Sequence, residues 1–130
     1  MIEVVAALIK SEDSRRFLLC QRPKGKARGG QWEFLGGKVE AGETKAQALV
    51  RECSEEIGVR IEPLEEIIAV THEYPDLTVH LTLIAARIVS GEVTLYEHQD
   101  ARWVSADEAQ RFDLCPADRE LLELIRDRLP

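Results

Sequence analysis

Apolar positions recur with two different periods along this chain, and the switches between them divide it into elements. Residues 2–9 (IEVVAALI) and 17–21 (FLLCQ) are β-prone runs separated by the polar turn Ser11-Glu12-Asp13-Ser14. They predict two paired strands at the start of a sheet. Residues 23–30 hold three glycines and read as a loop. The period then becomes helical: Ala46, Leu49, Val50, Cys53 and Ile57 fall on one apolar stripe. Thr44 with Gln47 spells a capping box ahead of that stripe, and Gly58 stands where a helix end favours a left-handed residue. The helix is therefore predicted over residues 45–57. Residues 67–74 and 77–89 return to strand composition on either side of Pro75-Asp76, which predicts a long hairpin. Trp103 and Val104 offer a further short strand. Ser105 with Glu108 makes a second capping box, and Leu121, Leu122, Leu124, Ile125 and Leu129 predict an amphipathic helix at the C-terminus. Strands interleaved with two or three helices point to an α/β fold, a mixed central sheet covered on both faces.

Composition sets the frame for function. The 130 residues leave room for one compact domain, read as residues 1–130. With 45% hydrophobic and 32% charged residues, the chain has an ordinary globular composition. A formal net charge of −7 argues against binding a nucleic-acid polymer, which needs an excess of Lys and Arg to neutralise phosphates. A small polyanion would need a local basic patch or bound cations. The concentrated positive charge is Arg22 followed by Lys24, Lys26 and Arg28 in the glycine loop. Cys20, Cys53 and Cys115 are far apart in apolar stretches, without metal-ligand spacing, and read as reduced, buried thiols. The start is apolar but carries Glu3, with no basic leader and no run long enough to span a membrane. The expected location is the cytoplasm, with monomer and homodimer both open.

The predicted helix opposes its apolar stripe with acid. Glu52, Glu55 and Glu56 sit at i, i+3 and i+4 and share one face. Glu-rich faces are also common solvated surfaces, so three glutamates alone do not make a site. Like charges this close repel, and a hard divalent cation would relieve them; carboxylate oxygens suit Mg²⁺ or Mn²⁺. Just upstream, Gly36-Gly37-Lys38 reads as a tight turn whose missing side chains let backbone approach a metal or phosphate. Gly37-Lys38 lacks the following Ser/Thr and the upstream glycine of a P-loop.

Gly37, five residues, Glu43, seven residues, then Arg51-Glu52-Cys53-Ser54-Glu55-Glu56-Ile57-Gly58-Val59 resembles the Nudix box, with all its fixed positions filled. Cys53 departs softly from the larger aliphatic residue usual there, and a buried thiol behaves as a small hydrophobe. The stretch Trp32 to Glu40 is similar to MutT-type nucleoside triphosphate pyrophosphohydrolases. The opening residues 2–7, Gln21-Arg22-Pro23, Glu97-His98-Gln99 and Pro116-Ala117-Asp118 look most like the CTP pyrophosphohydrolase branch. The resemblance implies a Nudix-type α/β/α sandwich and a Mg²⁺-dependent enzyme, Mn²⁺ being an alternative, that cleaves a nucleoside triphosphate to a monophosphate and pyrophosphate. It implies metal ligands at Gly36, Glu52, Glu55 and Glu56, and a further ligand or competing base at Glu97. Glu43 and Arg51 would pair to hold the helix, and Glu52 is the first choice for the general base.

Substrate contacts are read from chemistry. Arg22 and Lys38 could neutralise phosphates on either side of Gly37, or simply be solvated. Phe34 and Tyr74 are each either a surface for the base or core. An ionised Asp118 can accept from the N4 amino group of cytosine, which favours CTP, dCTP or C5-modified dCTP. Alternatively Asp118 caps the C-terminal helix, or in protonated form pairs with an oxidised purine such as 8-oxo-dGTP. A catalytically silent fold that binds a nucleotide or a protein is the reading from another class, and the filled glutamate positions count against it.

Overall fold

The computed structural model describes residues Met1–Pro130. Its elements in order are β1 (Ile2–Ile9), β2 (Phe17–Gln21), β3 (Trp32–Glu33), β4 (Gly36–Lys38), α1 (Lys45–Ile57), β5 (Arg60–Glu73), β6 (Thr78–Ser90), β7 (Asp100–Val104), α2 (Ala106–Ala109) and α3 (Pro116–Ile125), with a closing 3₁₀ turn at Arg126–Arg128.

The strands form a four-stranded sheet, ordered β4-β1-β6-β5, and a three-stranded sheet, ordered β3-β2-β7. The larger sheet is mixed, since β1 runs parallel to β6 while β4 and β5 pair antiparallel with their neighbours. The expected pairing of the first two strands is corrected: β1 and β2 belong to different sheets, joined by the isolated bridge between Lys10 and Phe17. Adjacency in sequence suggested a hairpin, yet both runs are buried nearly throughout, and each needs neighbours on both edges.

Alternate residues of these strands feed two cores, as the strand period of two requires. Val5, Ala7, Ile9, Leu18 and Cys20 join Leu49, Cys53 and Ile57 of α1. Ala6, Leu8, Phe17 and Leu19 join Leu121, Leu122 and Ile125 of α3. Helices thus cover both faces, the α/β/α arrangement expected from the sequence.

Three details differ from the sequence reading. Strand β5 begins at Arg60 rather than near residue 67, because Pro63 and the glutamates around it are carried on an edge strand with register shifts. In α1 the buried face uses Ala48 and Glu52 beside Leu49, Cys53 and Ile57, while Ala46 is exposed. Helix α3 ends at Ile125, so Leu129 lies beyond it, and Leu124 faces outward at 57% exposure. All three cysteines are free and buried. No helix is long and apolar enough to cross a membrane.

Candidate active site

Helix α1 is fixed at both ends before it presents any chemistry. Thr44 Oγ1 accepts from the Gln47 N–H at 3.1 Å, and Gln47 Oε1 accepts from the Thr44 N–H at 2.9 Å. Gly58 closes the helix in the left-handed region at φ 69° and donates to the carbonyls of Cys53 and Ser54. This sets the rotation that carries Glu52 and Glu56 into a cavity of about 420 Å³ also lined by Gly36, Gly37 and Lys38.

Gly36, Gly37 and Lys38 form strand β4 against β1, not the turn expected from their composition. Their glycines serve close approach. A Cβ on Gly36 would lie 1.8 Å from the Val5 carbonyl oxygen, and one on Gly37 would lie 2.4 Å from the Glu52 carboxyl carbon. Glu52 is therefore pressed against bare backbone.

Arg51 organises the acids around it. Its Nε and Nη2 donate to the two oxygens of Glu43 at 2.7 and 2.9 Å, and Nη1 donates to Glu52 Oε1 at 2.9 Å. Nη2 also reaches the Lys38 carbonyl at 3.0 Å, which ties the helix to β4. Hydrogen bonds from Arg51 and from the Glu40 backbone hold the Glu43 carboxyl down at about 2. Glu55 is mostly exposed and meets Arg51 at 3.4 Å. Arg51 thus partly relieves the repulsion at Glu52 and Glu55, beside what a divalent cation would supply.

Asp118 sits in the same cavity. It occupies the first turn of α3, behind Cys115 at the N-cap position, so the capping alternative is not what the fold uses. Its Oδ1 accepts from the Phe34 N–H at 2.9 Å. Burial first, and then the charge of Glu33, raise its pKa well above the ordinary carboxylate range, against the opposing pull of Phe34 and Arg22. Burial and Glu33 both push towards the protonated form, one of the two charge states weighed from the sequence.

Other predicted contacts fall on both sides of their alternatives. Phe34 is 2% exposed, its ring stacks on Phe17 at 5.8 Å in the core on the α3 side, and the residue also lines the cavity. Tyr74 lines the cavity, its hydroxyl accepts from the Ala117 N–H at 2.9 Å, and the Arg28 guanidinium lies 4.0 Å over its ring. Arg22 lines the cavity and is held there: Nη1 donates to Glu33 at 3.0 Å and Nε to the Ala27 carbonyl at 2.9 Å. The Lys38 residue is exposed at the cavity wall. Glu97 is exposed outside that wall and pairs with Lys26 Nζ at 3.3 Å.

Sequence reasoning missed Glu33 and His98. Glu33 lines the cavity and holds Arg22; His98 is buried, with Nε2 3.0 Å from Glu33 Oε2 and Nδ1 3.4 Å from Glu56 Oε2. The available signal was a charge set between Trp32 and Phe34, flanked by an apolar run.

Two donor sets can be compared for a metal. Glu33, Cys115 and Asp118 place ligand atoms within 4.8 Å of one another. That set includes a buried Cys115 thiol, whose pKa burial raises, and a soft sulfur suits a hard cation such as Mg²⁺ poorly. Glu52 and Glu56 offer hard carboxylate oxygens beside the bare backbone of Gly37, which fits Mg²⁺ or Mn²⁺.

The comparisons agree with this geometry. Residues 1–125 match the NUDIX domain model. The CTP pyrophosphohydrolase of Escherichia coli (strain K12) is 42% identical over 123 residues, covering 95% of this chain and 90% of that protein. An 8-oxo-dGTP diphosphatase of Haemophilus influenzae is 34% identical over 125 residues, covering 96% and 91%. The crystal structure of a MutT protein from Methanosarcina mazei Go1 superposes with a TM-score of 0.87 at 31% identity, covering 98% of this chain and 93% of that one. With Glu52 and Glu56 of the box at one cavity and the match running through nearly the whole chain, this protein belongs to the Nudix family and is a Nudix hydrolase acting on nucleoside diphosphate linkages.

Proposed function

We propose that this hydrolase converts nucleoside triphosphates to the monophosphate and pyrophosphate, with cytosine nucleotides preferred. The observation that carries the reading is one cavity lined by both Glu52 and Glu56 and by the buried acid Asp118. A base held at Asp118 and phosphates directed to α1 would share that space.

Glu52, Glu56 and the Gly36 backbone would hold Mg²⁺ or Mn²⁺, with Glu55 and Glu97 as outer candidates. The cation would supply charge neutralisation of the phosphates and a more acidic water. Glu52, kept in place by Arg51 and by the missing Cβ of Gly37, is the proposed base that takes the proton of the attacking water. Arg22, Lys26 and Lys38, which all line the cavity, are the proposed phosphate partners. The substrate is a small nucleotide, not a nucleic-acid polymer.

A neutral Asp118 carries one O–H donor and one carbonyl acceptor. Cytosine matches this pair with its N3 acceptor and N4 amino donor, and the 42% identical relative is a CTP pyrophosphohydrolase. A second reading, 8-oxo-dGTP hydrolysis, has its own support: a neutral acid also pairs with the N7–H and O6 edge of 8-oxoguanine, and the Haemophilus influenzae relative is named for that substrate.

The test is kcat/KM for CTP, dCTP, 5-methyl-dCTP and 8-oxo-dGTP with Mg²⁺, on the wild type and on Asp118→Ala, since an Asn amide would keep the donor and acceptor of a neutral acid. Cytosine nucleotides should lead. One good base contact is worth about 1–3 kcal/mol, so a variant lacking both donor and acceptor should lower kcat/KM for the preferred nucleotide by about 5- to 150-fold. A wild type that prefers 8-oxo-dGTP overturns the cytosine assignment, and absence of hydrolysis overturns the enzyme reading.

A further inference from the structure

His98 occupies a position that neither the metal helix nor the base pocket accounts for by itself. Its side chain is 5% exposed, in the loop between β6 and β7. Nε2 lies 3.0 Å from Glu33 Oε2. Nδ1 lies 3.4 Å from Glu56 Oε2, close enough for charge contact but off-axis, so that this buried nitrogen has no hydrogen-bond partner. A histidine serving only to fill a core would have both nitrogens satisfied. This one leaves its unsatisfied nitrogen 3.4 Å from a glutamate of the acidic helix.

Its backbone is anchored to β2 and the chain just beyond it. The neighbouring Gln99 donates from its backbone N–H to the Gln21 carbonyl at 3.0 Å and from its side chain to the Arg22 carbonyl at 2.8 Å. The result is a continuous series, Arg22–Glu33–His98–Glu56, running from the glycine loop to α1 with no contact longer than 3.4 Å. Arg22 continues it into the loop through the Ala27 carbonyl.

We propose that His98 is a positioning residue that couples the two halves of the cavity: its ring is a rigid spacer that sets the Glu56 carboxylate from one nitrogen and Glu33 from the other. The coupling rests on the reading of Glu56 as a metal-holding residue. Groups that orient metal ligands without touching the metal typically contribute about 10- to 100-fold to metal affinity.

The two nitrogens can be separated by substitution, because an Asn amide reaches roughly where Nδ1 stands and a Gln amide where Nε2 stands. Mn²⁺ binding to the nucleotide-free protein is read by the electron paramagnetic resonance of free Mn²⁺, alongside kcat and KM for hydrolysis and the thermal midpoint. His98→Ala should weaken Mn²⁺ binding about 10- to 100-fold, the scale of ligand-orienting groups, and lower kcat. His98→Gln should share the Mn²⁺ defect with little change in KM. His98→Asn should restore much of the Mn²⁺ affinity while raising KM, because only the Glu33 side is lost. Mn²⁺ affinity and kcat unchanged in a folded His98→Ala protein would overturn the proposal. So would equal defects in all three variants that track the thermal midpoint, or failure of all three to fold, since either makes His98 a core residue. A wild type that binds Mn²⁺ but hydrolyses no nucleotide would instead sink the hydrolase reading, leaving the Mn²⁺ comparison intact.

Discussion

Gly36 and Gly37 are adjacent, and an added Cβ fails at each for a different reason. At Gly36 it would strike the Val5 carbonyl oxygen, a backbone atom held in the β1–β4 pairing. At Gly37 it would strike the end of the Glu52 side chain, which can swing aside. Gly36→Ala is therefore expected to lower the thermal midpoint, whereas Gly37→Ala should fold normally and lose activity by displacing a carboxylate. Thermal unfolding and kcat on both variants check the contrast; a Gly37→Ala enzyme of normal rate would show that Glu52 need not touch β4. Glu52→Gln keeps the shape and removes the base, so kcat should fall about 10²- to 10⁴-fold. A near-normal single-turnover rate would pass the role elsewhere, with Glu97 next to be tested.

The element that matters most is α1, and its anchoring is electrostatic as well as apolar. Arg51 closes a bidentate pair on Glu43, which lies in the loop ahead of the helix. The folded Glu43 carboxyl sits at about 2 against an ordinary 4.5. Its folded pKa is depressed, so the stability it contributes is present above 4.5 and is lost as pH falls towards about 2. Glu43→Gln should lower the thermal midpoint at neutral pH and flatten its fall across that acidic window. Parallel midpoint-versus-pH curves for wild type and variant would exclude the pair as a source of acid sensitivity.

For the molecule as a whole, two apolar clusters on opposite faces of the sheets hold α1 and α3 in register with each other. Because Asp118 and Leu121 share α3, packing on one face sets where the buried acid stands at the cavity. Leu121 is fully buried, and Leu121→Ala should cost about 2–5 kcal/mol in urea denaturation. A loss well below that range would mean that α3 closes over the gap.

Local patterns determined what local physics controls. The helix over residues 45–57, both capping boxes, the β-prone runs and the clustering of Glu52, Glu55 and Glu56 were legible because caps, periods and i, i+4 spacing act within a few residues. The glycines were legible as backbone approach but not as strand, since the object approached is Val5 on a distant strand and Glu52 on the next helix. Tertiary structure alone separated β1 from β2 into two sheets, stacked Phe34 on Phe17 at the cavity wall, and paired Arg22 with Glu33. It also brought His98 between Glu33 and Glu56, residues 65 and 42 positions away in sequence. The pull on Asp118 is of the same kind: the sequence leaves its ionised and protonated forms both open, and burial with the charge of Glu33, supplied by chain far from it, raises its pKa.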